Sequence, residues 1–180
     1  MKPSLLLIPA LFFTSCSLKY GTTFQDEANV PEFVFTDAIF SRYEDNTPSI
    51  QLKAGRLEQY GDGKTMYAEN VEFKVMEKDG SVKTEGSCGL FSSNSEEKKY
   101  TLYDNIVIDN KKDEIQVSCD FLHWDGKTEQ LTSGKNDLVT LKKGTTTLHG
   151  SGFSASGISK KFKFTGVVTG EYNSEEGEQK

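Results

Sequence analysis

Hydrophobic and polar residues alternate along the stretch from Ser49 to Val75, which reads as two strands around a turn. The first run, SIQLKAGRLEQY, is followed by Gly-Asp-Gly, and the second, KTMYAENVEFKV, ends on Val71, Phe73 and Val75. Alternation with a period of two is typical of strands that bury one face. A turn rich in Gly and Asp between two such runs is typical of a hairpin. The stretch therefore predicts an antiparallel hairpin.

Three later stretches repeat this plan. VKTEGSCGLF returns through YTLYDNIVI, IQVSCDFLHW through TEQLTSGKNDLVTL, and TLHGSGF through KFKFTGVVTGEY. The repeats align on Leu52, Thr84, Val117 and Leu148. A period of about 32 residues is typical of stacked supersecondary units that bury a face only against their neighbours. Two positions further on, every repeat has a small residue: Ala54, Gly86, Cys119 and Gly150.

The phase of the alternation changes beside this small residue. Leu52 and Ala54 share one parity, whereas Leu57 has the other, and the same change separates Cys119 from Leu122. Strict alternation would put such residues on opposite faces of the sheet. A bend or bulge restores a common face. We therefore predict that each strand is bent in its middle, so that the stacked strands form an open, V-shaped trough with an apolar lining.

The predicted fold class is all-β: a repeated antiparallel meander that forms an open, twisted sheet. No segment of the mature chain has a sustained 3.6-residue periodicity, so long helices are not expected there. An unclosed meander keeps two edge strands, and exposed edges invite pairing with another chain. The predicted edges are Phe33–Phe40, read as an irregular first strand or pair, and Phe162–Tyr172.

The first sixteen residues, MKPSLLLIPALFFTSC, have the layout of an export signal, with a positive start, a short apolar run and small residues before Cys16. A cysteine in that position is typical of a lipoprotein signal that is cleaved before Cys16, which then carries acyl chains. The alternative is an ordinary signal peptide with an incidental cysteine. Multiple acyl chains would anchor the protein stably at a membrane, although the sequence leaves open at which one.

The chain divides into four predicted parts. A signal peptide covers residues 1–15, a lipidated N-terminus and tether covers 16–31, a β-domain covers 32–172, and an acidic tail covers 173–180. The formal net charge is −6 and the 21 basic residues are scattered between the strands. Nucleic-acid binding is therefore not expected, because it would require a basic face.

Three motifs could indicate a phosphate site, a metal site or a disulfide, but each is explained better by a purely structural role. Gly63-Lys64-Thr65 and Gly126-Lys127-Thr128 lack the earlier Gly and the following helix of a phosphate-binding loop, and read as hairpin turns. Cys119 and His123 are too far apart along a strand for joint metal ligation unless the bend brings them together. Cys88 and Cys119 are expected to be small buried residues rather than a disulfide, because a strand separates theirs. We predict no enzyme activity, no metal and no cofactor.

The hydrophobic positions of the repeats are the candidate lining of the trough, with a closed hydrophobic core as the alternative for each. The candidates are Leu52, Leu57, Met66, Val71, Phe73, Leu102, Ile106, Ile108, Val117, Leu122, Leu131, Leu148, Phe153, Phe162, Phe164 and Val167.

The motifs LKAGRLEQY…GKTMYAENVEF, TEGSCGLF, VSCDFLHWD and HGSGF…FKFTGVV resemble the lipopolysaccharide-export bridge proteins of the LptC type. The resemblance covers residues 32–172 and lies in the repeated pattern rather than in any catalytic string. It implies a twisted β-jellyroll, or β-taco, whose interior holds the acyl chains of lipopolysaccharide. Members of this type usually have an uncleaved N-terminal transmembrane helix, and a lipoprotein-like signal stands in its place here.

The resemblance also implies partners. The N-terminal edge would join the periplasmic domains of an inner-membrane ABC exporter, and the C-terminal edge a soluble, LptA-like bridge protein. We therefore expect a periplasmic, membrane-anchored component of lipopolysaccharide or related glycolipid export, with the inner membrane favoured. Two alternatives stay open: a monomeric lipoprotein that carries or chaperones lipids, and a structural lipoprotein of the envelope.

Overall fold

The computed structural model describes residues 30–61 and 63–173 as strands and turns, with no helix among them. The first six strands are long: β1 Phe33–Glu44, β2 Thr47–Tyr60, β3 Thr65–Met76, β4 Val82–Asn94, β5 Lys99–Asn110 and β6 Ile115–Asp125. The other six are short: β7 Gln130–Thr132, β8 Leu138–Lys143, β9 Thr146–Ser151, β10 Ser154–Ser156, β11 Phe162–Lys163 and β12 Val168–Tyr172. The predicted irregular first strand is one continuous strand, β1.

All neighbouring strands are antiparallel. β1 to β6 follow one another in chain order, and the sheet then divides into two branches. One branch continues from β6 through β7 and β10 to β11, and the other continues through β8 and β9 to β12. The two outer ends of the sheet do not pair with each other. The predicted fold class, an open antiparallel all-β sheet, is confirmed.

A line of interrupted pairing crosses the long strands at mid-length. Pairing of β1 with β2 passes from Thr36–Arg56 to Ala38–Ala54, which omits Asp37 and Gly55. The same line continues through Asn70 of β3, Gly89 of β4, Asp104 and Asn105 of β5, and Asp120 of β6.

Asn and Asp occupy this line because it requires unusual backbone angles. Asn70, Asp104 and Asn105 have φ values of 53°, 64° and 50°, in the left-handed region where Asn and Asp are better tolerated than most residues. Between β5 and β6, Asp104 and Asn105 stand opposite Asp120 alone, which is a β-bulge. The predicted mid-strand bend is thus present in β1 to β6.

The bend becomes a complete break in the second half of the chain. The stretch TEQLTSGKNDLVTL, predicted as one returning strand, forms β7 and β8 with residues 133–137 between them. TLHGSGF and its return are divided in the same way, into β9 and β10 and into β11 and β12. Gly152 lies in the break between β9 and β10 with a φ of 64°.

The register corrects the repeat alignment by two residues in one place. Leu52 pairs with Phe73, and Phe73 pairs with Gly86 rather than with Thr84. The positions equivalent to Leu52 are therefore Gly86, Val117 and Leu148. The cause is the β3–β4 hairpin, whose turn spans residues 77–81 and whose pairing shifts between Val75 and Met76.

The hydrophobic core lies on the concave side of the bend. Leu122, Ile106 and Val139 are at most 1% exposed, although they belong to a single sheet. A single layer would leave one face open to water, so this burial requires the two halves of the bent sheet to pack against each other. The inner side chains form one cluster of buried and half-buried hydrophobic residues.

Candidate functional site

Four rows of residues in register make up the inner face of the sheet. Directly opposed residues of antiparallel strands share a face, so the pairing identifies each row. Two rows lie on each side of the bend.

On one side of the bend, the first row begins at Phe33 and ends with Trp124, Leu131, Ala155 and Phe162. The second row is Phe35, Leu57, Ala68, Phe91, Leu102 and Leu122.

On the other side of the bend, the third row contains Ala38, Ala54, Val71 and Cys88, then Ile106 with Cys119, and Val139 with Gly150 and Val168. The fourth row is Phe40, Leu52, Phe73, Gly86, Ile108, Val117, Leu141, Leu148 and Gly170. The inner face is therefore apolar from one edge of the sheet to the other in both of these rows.

Most of the candidate lining residues lie in this inner cluster. Those found there are Leu52, Leu57, Met66, Val71, Phe73, Leu102, Ile106, Ile108, Val117, Leu122, Leu131, Leu148, Phe153 and Phe164. Phe162 is 39% exposed, but its ring packs on Phe153 and Phe164. Burial alone does not separate a lipid-binding face from a core.

Val167 is the one candidate that the structure places away from the inner cluster, since it is 88% exposed. The chain between β11 and β12 uses residues 164–167 to cross the bend, so the next inward residue is Val168, which pairs with Gly150. Sequence reasoning placed the bend one residue too early at this point.

Several inner residues were missed by sequence reasoning. Val139 and Leu141 are fully buried. They lie two residues apart in a predicted strand, and this alternation could have identified them as inward-facing. The other inner residues outside the candidate list are Ala38, Ala54, Ala68, Cys88, Phe91, Ile115, Cys119 and Ala155, of which Cys88 and Cys119 were expected to be buried.

The inner face differs between its two edges. At β1, Phe35 and Phe40 face inward and remain 47% and 46% exposed, so apolar surface is open to solvent there. At the other edge, Phe164 covers the inner face and packs against Phe153 with ring centroids 5.3 Å apart. The N-terminal edge thus has no such cover over its inward phenylalanines, whereas Phe164 covers the middle of the C-terminal edge, between Phe162 and Val168, which are 39% and 43% exposed.

The outer face is polar and charged. The guanidinium of Arg56 donates to Glu58 Oε1, with Nη2 at 2.6 Å, and Tyr60 donates its hydroxyl to Glu58 Oε2 at 2.8 Å. These hydrogen bonds lower the pKa of Glu58, and the bond from Arg56 has the larger effect. Exposed ion pairs contribute little to stability, so the outer face provides solubility while the inner face provides the packing energy.

The structure explains the possible phosphate-binding and metal-binding motifs without a ligand. Both Gly-Lys-Thr sequences begin at hairpin turns, and Lys64 N donates to Gly61 O at 3.0 Å. His123 Nδ1 lies 3.0 Å from Thr101 Oγ1 on the neighbouring strand. Among residues 30–61 and 63–173 there is no group of three potential metal ligands.

Cys88 and Cys119 are free thiols on strands that β5 separates, as the meander order predicted. Burial raises the pKa of each thiol to about 11. Such thiols behave as small hydrophobic residues rather than as nucleophiles.

The fold and the inner face define an open, bent antiparallel β-sheet protein with a continuous apolar interior. A model of the LptC-related lipopolysaccharide-assembly family matches residues 5–173. The chain belongs to this family, and so is a periplasmic envelope component of lipopolysaccharide transport. A comparison with curated proteins finds no match.

Among solved structures, the chain is similar to LptH, the LptA-homologous periplasmic component of the conserved lipopolysaccharide transport device from Pseudomonas aeruginosa. The two are 10% identical over 82% of this chain and 99% of that chain, with a TM-score of 0.34.

The predicted anchor and tail lie outside the part of the chain that the structure describes. These are the signal peptide, Cys16 with the tether as far as residue 29, and residues 174–180. Within the described residues, no helix is long and apolar enough to cross a membrane.

Proposed function

We propose that this protein holds acyl chains of lipopolysaccharide, or of a related glycolipid, on its inner face and passes them between partners at its two edges. The observation that carries the proposal is the pair of inner rows, the third and the fourth, that offer apolar contact along the whole path from β1 to β12. Each methylene kept from water contributes about 0.8 kcal/mol, so a continuous apolar path is needed to move an acyl chain through water.

An acyl chain would enter at β1. The inner side chains of the middle strands are in mutual contact, with Leu122 and Ile106 fully buried. Entry there would require the two halves of the sheet to separate, whereas Phe35 and Phe40 already expose apolar surface beside the edge.

The partners proposed for the two edges follow from the family. The exposed edge of β1 would pair with the periplasmic domains of an inner-membrane ABC exporter, and the edge of β11 and β12 with a soluble, LptA-like bridge protein. Lipidated Cys16 would anchor the chain, with the inner membrane favoured. β1 is an apolar edge strand, with Phe33, Val34 and Ile39 exposed, and unpaired edges of this kind bind added strands.

Native mass spectrometry of the full chain, gently extracted from its own cell envelope, tests lipid binding. We expect a bound multi-acyl amphiphile that is lost in Leu102→Asp and kept in Tyr103→Asp. The two residues are neighbours in β5, but Leu102 faces inward and Tyr103 outward. Circular dichroism confirms that each variant is folded. A wild-type protein with lipid on Cys16 alone would contradict the proposal and favour a structural lipoprotein.

Pull-down with each partner distinguishes a bridge from a monomeric carrier. A proline removes a backbone donor and disturbs an edge strand, so Ile39→Pro in β1 should lose the exporter domains and keep the bridge protein. Thr169→Pro in β12 should have the opposite effect. Lipid bound to a protein that captures neither partner would indicate a carrier.

A further inference from the structure

Three phenylalanines close the inner face at the C-terminal edge. The rings of Phe153, Phe162 and Phe164 have centroid separations of 5.3 to 6.4 Å. Phe153 is fully buried, whereas Phe162 and Phe164 come from the last, weakly held part of the sheet. At the β1 edge Phe33 and Phe35 stack with ring centroids 6.0 Å apart, but Phe35 and Phe40 remain about half exposed.

The segment that carries this cover is attached by few backbone bonds. β11 pairs with β10 at only two positions, Lys163 with Ser154 and Phe162 with Ala155. Beyond it, Thr165 N is shared between Ser151 O and Gly152 O, at 3.3 and 3.2 Å, and Gly166 N donates to Ser151 O at 3.1 Å. Regions with few buried contacts and few backbone bonds are the first to open.

Resting on the proposed function, we infer that Phe162 and Phe164 form a cap that must move aside before an acyl chain leaves by the C-terminal edge. The inner rows lead to this cap: Phe164 stands beside Phe153 on one side of the bend and beside Gly150 on the other. An acyl chain that follows the third row, which ends at Gly150 and Val168, meets the Phe164 ring. The cap therefore controls release and leaves entry at β1 unaffected.

The position of the cap also links its opening to docking. Phe164 lies within the interruption of the edge strand at residues 164–167. A partner strand that pairs along the whole of this edge needs the interruption to become extended. Extension breaks the bonds to Ser151 and withdraws Phe164 from Phe153, so docking of the bridge protein opens the path.

Binding of 11-(dansylamino)undecanoic acid to the full chain tests the cap by stopped-flow fluorescence. We expect Phe164→Ala to raise the dissociation rate of the bound probe at least threefold, because the closed end has become open. Phe162→Ala should have a smaller effect in the same direction and serves as the second variant if Phe164→Ala unfolds. Tyr103→Ala removes an outward aromatic residue of β5, away from the inner face, and is the control.

The outcomes separate the cap from the proposed function. Faster dissociation in the cap variants, but not in Tyr103→Ala, supports the cap. An unchanged or slower rate in folded cap variants overturns it, while probe binding by the wild type still supports an apolar binding face. If no form of the protein binds the probe, both the cap and the proposed function fail.

Discussion

The ring of Phe164 lies against the backbone of Gly150: a Cβ atom built on Gly150 would be 2.8 Å from Cδ1 of Phe164. It would also be 3.1 Å from Cγ2 of Val168. Overpacking of a core typically costs about 1–3 kcal/mol. We therefore expect Gly150→Ala to lower the free energy of unfolding in urea by about that amount.

Two further variants test the cause of this loss. Gly55→Ala should be nearly neutral, because the nearest atom to its added Cβ, Nδ2 of Asn70, would be 3.4 Å away. In a Phe164→Ala background, Gly150→Ala should cost clearly less than alone, since the obstructing ring is absent. An equal cost in both backgrounds would show that the Phe164 contact is not the reason.

Truncating a leucine should cost much more stability on the inner face of the sheet than on the outer face. Leu122→Ala removes a fully buried side chain and should destabilise the protein by about 2–5 kcal/mol. Leu90→Ala on the outer face, where the side chain is 48% exposed, should change the free energy of unfolding by about 0.5 kcal/mol or less. Equal effects in urea titrations would contradict the assignment of the faces.

The mid-strand bend predicts a backbone effect at Asn70. Its φ of 53° is costly for a β-branched residue, so Asn70→Val should destabilise the fold by about 1–2 kcal/mol. Glu72→Val, two residues away on the same exposed face of β3, should be nearly neutral. Thermal unfolding measures both variants, and a neutral Asn70→Val would argue against the bend in β3.

The burial of the two thiols predicts slow alkylation and a stability that depends on pH. With pKa values of about 11, Cys88 and Cys119 should react with iodoacetamide at pH 8 far more slowly in the folded than in the urea-unfolded protein. Mass spectrometry of peptides reads each site separately. Because the unfolded thiols lose their protons first, stability should fall as the pH rises from about 9 to 11. Equal labelling of folded and unfolded protein would contradict the burial.

The alternation and the repeat were sufficient to predict the sheet, its order and the bends of β1 to β6, because parity is directly legible in residues such as Ala54 and Leu57. The register of the second repeat could not be predicted from the sequence. Gly86, and not Thr84, is in register with Leu52 because the β3–β4 turn is long. The length of a turn shifts the alignment of the repeats, and the hydrophobic pattern does not reveal that length.

Most residues of the inner face with a large side chain were predictable, although Phe91, Val139 and Leu141 were not among the candidates. Ala68 was missed because small residues carry a weak hydrophobic signal, although it is buried. The position of Val167 was wrong because crossing the bend takes one more residue there than the pattern indicated. The closure of the C-terminal edge by Phe164 depends on packing between two branches of the sheet, which no local pattern records.

The central claim, that the inner face holds acyl chains, is tested most directly by photo-crosslinking in living cells. A p-benzoylphenylalanine placed at Phe40 faces inward, and one placed at Ile39, its neighbour in β1, faces outward. Both positions are exposed enough to accept the larger side chain. We predict a lipopolysaccharide adduct at residue 40 and none at residue 39. Adducts of equal strength at both positions, or none at residue 40 in a folded protein, would contradict the account.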